Sequence, residues 1–351
     1  MLLGLIFNQQ NLLMSTHQIV YVVFGVVLVI ALVLDLGLLS KKNKIITIKQ
    51  ALYQTTFWVG LALAFFVFIW IEGPSLAAEN KAMNAVPFIT GPQLAFEFLS
   101  AYLMEWSLSI DNIFVFILIF TAFDVKERHY PRVLLVGILM AILFRIIFIT
   151  VGVALVAKFS WILYLFGIFL VYTGYKMFTS NEDEEYDPHD SKIYKFLKKF
   201  LPLVSNDGDG KYVIRENGKP VYTSLFVVVV LLAAIDLVFA LDSIPAVMGI
   251  SKDPLVIYTS NIFAVLGLRS LFFLLRGAVS KFDFLQQGIA IVLVFIGVKM
   301  LSEHYLNEWM EKTTQVFLSL GVILLCISGS IFYSMFKSKK GSPKDISDGS
   351  L

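Results

Sequence analysis

Glu105-Trp-Ser-Leu-Ser-Ile-Asp111-Asn112 is the stretch that decides how this chain is read. It lies inside an apolar run from Gln93 to Thr121, long enough to cross a bilayer as a helix. Two carboxylates therefore stand where hydrocarbon should be. A charged side chain at the bilayer centre costs about 2.5–3.5 kcal/mol on insertion scales, so acids placed there ask for a purpose. A second octet, Asp236-Leu-Val-Phe-Ala-Leu-Asp242-Ser243, repeats the arrangement. In both, an acid is followed six positions later by aspartate, then by a small oxygen-bearing side chain.

The composition sets the class around these octets. Of 351 residues, 58% are hydrophobic and only 15% charged, against roughly 25% charged in a soluble domain. The mean hydropathy is +0.80. This is the signature of an all-α polytopic membrane protein. The start, Met1 to Met14, has no basic n-region, which predicts a retained first helix and no cleaved signal peptide. The one cysteine, Cys326, rules out an intrachain disulfide.

Nine apolar runs are long enough to span, near 17–39, 51–71, 93–121, 131–156, 158–179, 222–248, 254–276, 282–302 and 314–336. Basic residues segregate strictly between alternate connections, 20 on one side and 4 on the other. Because cytoplasmic loops are the basic ones, this predicts an external N-terminus and a cytosolic C-terminus.

Two groups of three spans resemble each other. Asp111 is followed by Arg145 and then by Thr173-Gly-Tyr-Lys-Met177; Asp242 is followed by Arg269 and then by Ile296-Gly-Val-Lys-Met300. Three is odd, so the second group enters the membrane the other way up. Such an inverted three-plus-three repeat typifies secondary transporters, with the site near the midplane. The organisation expected is 1–92 as two additional N-terminal helices, 93–179 as repeat one, 180–221 as a cytosolic connection, 222–302 as the inverted repeat two, and 303–351 as a last helix and tail.

Within the connection, Lys192 to Leu203 reads as a basic amphipathic helix on an anionic lipid surface. Asn217-Gly218 between β-prone flanks signals a hairpin. Ser205, Asp207, Asp209, Gly210 and Glu216 fall at calcium-loop positions 1, 3, 5, 6 and 12. The first is Ser instead of Asp, and no suitable helices flank the loop, so an ordinary turn is favoured.

At mid-depth the embedded groups are Glu105, Asp111, Asp236, Asp242, Arg145 and Arg269, with a formal sum of −2 that one divalent cation would neutralise. Asn112, Asn261, Ser109 and Ser243 add amide and hydroxyl oxygens, and no histidine is embedded. Hard oxygen donors suit Mn²⁺, Mg²⁺ or Ca²⁺. The excess of acid over base and the repeat symmetry favour a cation path through these acids. Arg145, Arg269 and Asn261 would balance charge or gate, and Glu97 would line an exit path. A proton relay through the same carboxylates is the closest rival reading, and the two are compatible because cation/proton exchange needs both. The plainer alternative is that the acids only pair with the two arginines to hold helices in register. Residues six apart on a straight helix point about 120° apart, so each octet forms one shell only if its helix breaks, for which Pro245 offers a means.

The octets, together with Thr259-Ser-Asn261-Ile-Phe-Ala-Val-Leu-Gly-Leu-Arg269, are similar to the TerC/Alx family of bacterial integral membrane proteins. The resemblance covers essentially the whole chain. It implies a LysE-type transporter fold in a bacterial plasma (inner) membrane, manganese export, and metal handling by Glu105, Asp111, Asp236 and Asp242 with Asn112 and Ser243 beside them. No nucleotide-binding loop occurs, so ATP coupling within the chain is not expected. Neither a resident cofactor, nor an enzymatic activity, nor a nucleic-acid partner is expected. A rival reading is a membrane adaptor that docks protein-export or metalation partners through 180–221. An intramembrane aspartyl protease is disfavoured, because four acids are present without a Gly-x-Gly-Asp context.

Overall fold

A computed structural model describes residues 16–34, 46–82, 90–179, 191–216, 218–276 and 284–340. Eleven α-helices are seen there: α1 (Thr16–Leu34), α2 (Ile48–Ala82), α3 (Gly91–Ala122), α4 (Tyr130–Lys158), α5 (Ile162–Thr179), α6 (Lys192–Phe200), α7 (Ser224–Ile250), α8 (Pro254–Leu275), α9 (Leu285–Leu301), α10 (Glu303–Trp309) and α11 (Lys312–Lys340). Strands β1 (Val213–Glu216) and β2 (Lys219–Tyr222) lie between α6 and α7. Among the described residues six helices are apolar and long enough to cross a membrane. A seventh span results if α9 and α10, bent by 78° at their junction, are one unit. The chain is an all-α polytopic membrane protein.

Helix starts follow local chemistry. Thr90 caps α3 by accepting a hydrogen bond from the Gln93 amide, with Pro92 in the first turn. Asp253 caps α8 the same way through the Leu255 amide, with Pro254 at the first position. These caps satisfy backbone donors that a membrane cannot. Pro245 lies inside α7, yet α7 continues to Ile250, and α3 likewise runs unbroken through Asp111. The break on which a shared shell within one octet depended is absent from both helices.

The centre of the bundle is α8, whose 22 residues are almost all buried. It packs against α2, α3 and α4; α3 and α4 each also pack against α7. The tightest pairing is α5 with α9. Glycines allow it: a Cβ on Gly297 would sit 2.7 Å from the Gly167 carbonyl oxygen, and one on Gly174 would sit 2.7 Å from that of Ala290. Small residues at such crossings let backbones approach where no hydrophobic driving force is available.

At one end of the bundle the 191–223 segment forms a folded cap. The hairpin pairs Val213 with Tyr222 and Glu216 with Lys219 around a turn where Gly218 has φ 78°. Asp207 and Asp209 do not converge as calcium ligands. Asp207 is paired with Lys126 at 2.8 Å and Asp209 with Arg128 at 3.2 Å, both in the α3–α4 link. The Arg132 guanidinium donates to the Gly210 carbonyl at 3.0 Å and lies over the Tyr212 ring. The Lys126 ammonium holds the Asp207 carboxyl below its ordinary range.

Candidate functional site

Glu105 and Asp236 lie near the middle of α3 and α7, where each helix is farthest from water. Both side chains are buried, and they meet on one cation. The Arg145 guanidinium, from α4, donates through Nε and Nη2 to the two oxygens of Asp236, at 2.7 and 3.1 Å. Its Nη1 donates to Glu105 Oε2 at 2.6 Å and to Asn261 Oδ1, on α8, at 2.9 Å. Asn112 Nδ2 donates to Asp236 Oδ1 at 3.4 Å. Four helices thus contribute to one network. A guanidinium suits this role because its planar fork can bind one carboxylate bidentately and still reach a second.

The network is not closed: among the described residues, its Glu105 Oε1 and Asn112 Oδ1 have no hydrogen-bond partner, and Ser109 Oγ and Ser243 Oγ, elsewhere on α3 and α7, are likewise buried without one. Each such orphan costs about 1–3 kcal/mol, and in a native structure each asks for an explanation. The formal charge of Glu105, Asp236 and Arg145 together is −1.

The expected residues divide accordingly. Glu105, Asp236, Arg145, Asn112 and Asn261 come together. Asp242 is half-buried and accepts from Thr173 of α5 at 3.4 Å, apart from the network, as follows from an unbroken α7. Ser243 is buried next to it in sequence. Asp111 belongs to α3, but its side chain lies outside the described ones. Arg269 is buried on α8, two turns beyond Asn261, about 12 Å along the axis. Among the described residues no three acids, histidines or cysteines cluster as a ready-made metal cage. Of the pairings the ion-pair alternative proposed, that of Arg145 with Glu105 and Asp236 is present.

Glu97 is buried at the end of the bundle away from the hairpin. Its Oε2 accepts from Ser251 Oγ at 2.5 Å and its Oε1 from Gln93 Nε2 at 3.1 Å. A cavity of about 60 Å³ opens beside it, bordered by Lys299, Glu303 and Gln315. Lys299 donates to Ser319 Oγ of α11 at 3.0 Å. Ser251 and Gln93 were not singled out by sequence, and Thr173 entered only as part of the repeat motif. The signal of the first two is polarity at the ends of apolar helices, which many structural residues share.

Comparison with known proteins agrees with this architecture. The model of the integral membrane protein TerC family matches residues 90–342. A Myxococcus xanthus protein, "Uncharacterized membrane protein STKORF319", is 38% identical over 314 residues, 90% of this chain and 91% of its own length. A Rickettsia felis membrane protein is 38% identical over 286 residues, 82% of this chain and 89% of its own. The Escherichia coli K12 protein named "Putative membrane-bound redox modulator Alx" is 36% identical over 319 residues, 91% and 96% of the two chains. No solved structure matches. The family match spans every residue of the buried network, and the relatives align over 82% to 91% of the chain: the chain belongs to the TerC family of integral membrane proteins.

Proposed function

We propose that this protein is a secondary transporter that exports a divalent metal cation, Mn²⁺ as the favoured cargo, in exchange for protons. The observation that carries the proposal is the buried network left open: two carboxylates from different helices, one arginine, and a carboxylate and an amide oxygen, of Glu105 and Asn112, without a donor among the described residues. These are hard oxygen donors, the set that manganese accepts and that copper or zinc would not select. Arg145 acts as an internal cation. An entering metal ion competes with it for Glu105 and Asp236, and protons do the same in the return step.

Because α3 and α7 are continuous, the acids form stations, not one shell. Glu105 with Asp236 is the central station and Asp242 a second, nearer the end of α7. Asp111 is proposed as its counterpart on α3, and Glu97, latched by Ser251, as the outer exit. Arg269 and Asn261 position the central groups from α8. The proposal includes nine spans, counting α1 and α3, an inverted repeat relating α3–α5 to α7–α9, and a plasma-membrane setting with the C-terminus cytosolic. Supporting the repeat, Gly174 abuts Ala290 and Val294, while its counterpart Gly297 abuts Gly167 and Val171. Each contact exchanges the two halves, as a two-fold axis between α5 and α9 requires.

The adaptor reading has one observation in its favour: the 191–223 segment is a folded cap docked by ion pairs and not a loose linker. A redox role of the kind named for Alx would have to work without an intrachain disulfide, since this chain has a single cysteine. Manganese efflux decides between the readings. Inverted vesicles carrying the protein should accumulate Mn²⁺ when a proton gradient is imposed, and Glu105→Gln or Asp236→Asn should abolish it. An adaptor would leave vesicle uptake at the level of empty membranes for parent and variants alike.

A further inference from the structure

Helix α6 is short, yet it is built to face two media. Leu197 is its one buried residue, with Ile193 and Tyr194 packed at the edge of the core. Phe196 and Phe200, one turn apart, are 61% and 62% exposed, and their rings touch at 4.6 Å. Lys192, Lys195, Lys198 and Lys199 occupy the rest of the surface, and the nine residues include no acid. Lys199 lies over the Phe200 ring. An exposed phenylalanine pair flanked by lysines matches the boundary between acyl chains and headgroups.

Chain connectivity puts the helix at that boundary. It is reached from α5 and followed by α7, both long enough to span. It does not fill all the space it covers. Beside its packed residues a cavity of about 540 Å³ opens between Tyr194 and Lys198 and the bundle, walled by Phe123, Leu201 and Val227 and rimmed by Lys198, Ser205 and Asp124. One carboxylate on that rim is outnumbered by the lysines of the helix.

We propose that α6 is an interfacial anchor that seats an anionic phospholipid. The headgroup is held by the lysine face, an acyl chain enters the cavity below, and Phe196 and Phe200 insert among neighbouring chains. Charge complementarity selects this occupant over a zwitterionic lipid: each lysine near an anionic surface contributes roughly fivefold in binding. The proposal does not depend on what the central network carries.

The test uses the full chain. A spin label is placed at Phe196→Cys in a Cys326→Ala background, in nanodiscs of phosphatidylcholine with a quarter phosphatidylglycerol. Its collisions with oxygen and with a water-soluble nickel complex report immersion. The label should be reached by oxygen more than by nickel. In parallel, native mass spectrometry should show phosphatidylglycerol retained by the parent and lost at least tenfold when Lys192, Lys195, Lys198 and Lys199 are all changed to glutamine. The all-arginine variant should retain it, which separates loss of charge from loss of folding. A label as open to nickel as a free surface site overturns the proposal. So does lipid retention unchanged in the glutamine variant, or a label shielded only when a soluble protein partner is added.

Discussion

Replacing Arg145 by glutamine tests the central network most directly. The parent guanidinium makes four hydrogen bonds, three of them to carboxylates, and is 2% exposed. Glutamine cannot carry the charge and has at most two donors to offer. Removing one partner of a buried ion pair costs about 3–5 kcal/mol, because an uncompensated charge stays behind. Here two carboxylates stay behind, so the upper half of that range is expected. At about 2–4 °C per kcal/mol for a domain of this size or somewhat smaller, the melting temperature in detergent should fall by on the order of 10 °C. A double-mutant cycle gives the sharper reading. Asp236→Asn alone leaves Arg145 with Glu105 as its one carboxylate; with both changes, the neutral glutamine and asparagine side chains can pair with each other. The double variant should be less damaged than the sum of the singles by about 1–3 kcal/mol, as expected for contacting residues. Strict additivity, or an Arg145→Gln protein as stable as the parent, would refute the claim that this arginine holds the two acids.

Three further outcomes are expected. Gly297→Leu should separate α5 from α9, since its Cβ would fall 2.7 Å from the Gly167 carbonyl oxygen; overpacking of this kind costs about 1–3 kcal/mol and should lower the melting temperature, whereas Gly321→Leu, which meets nothing within 4 Å, should not. Ser251→Ala should leave Glu97 Oε2 without that donor, costing about 1–3 kcal/mol and raising the reactivity of thiol probes introduced beside the cavity at Glu97. The cap should loosen at low pH: because Lys126 depresses the Asp207 carboxyl in the folded state, the stabilisation is complete above the ordinary aspartate value of about 3.9 and is lost as pH falls through the lower folded value. Limited proteolysis between 201 and 223 should therefore rise below pH 4 in the parent, and already at neutral pH in Asp207→Asn.

The sequence alone determined the elements and the chemistry available to them. Spans follow from the cost of burying backbone without water, the hairpin from the Asn217-Gly218 turn, and the surface helix from four lysines set against Leu197, Phe196 and Phe200. Each is a local consequence of residue type and period. The acids too were conspicuous, because ionised groups in an apolar run are costly wherever the run ends up. What spacing could not fix is which acids face each other. Glu105 and Asp111 share a helix and look like partners in the sequence, yet 100° of rotation per residue turns them apart on an unbroken α3. Only tertiary packing decided that Glu105 meets Asp236 from α7, through Arg145 from α4 and beside Asn261 from α8. It also decided that Asp242 turns to Thr173 and Glu97 to Ser251. Those pairings depend on where four helices cross and how closely they approach. That is set by glycines and apolar side chains spread over the whole bundle, not by the octets themselves.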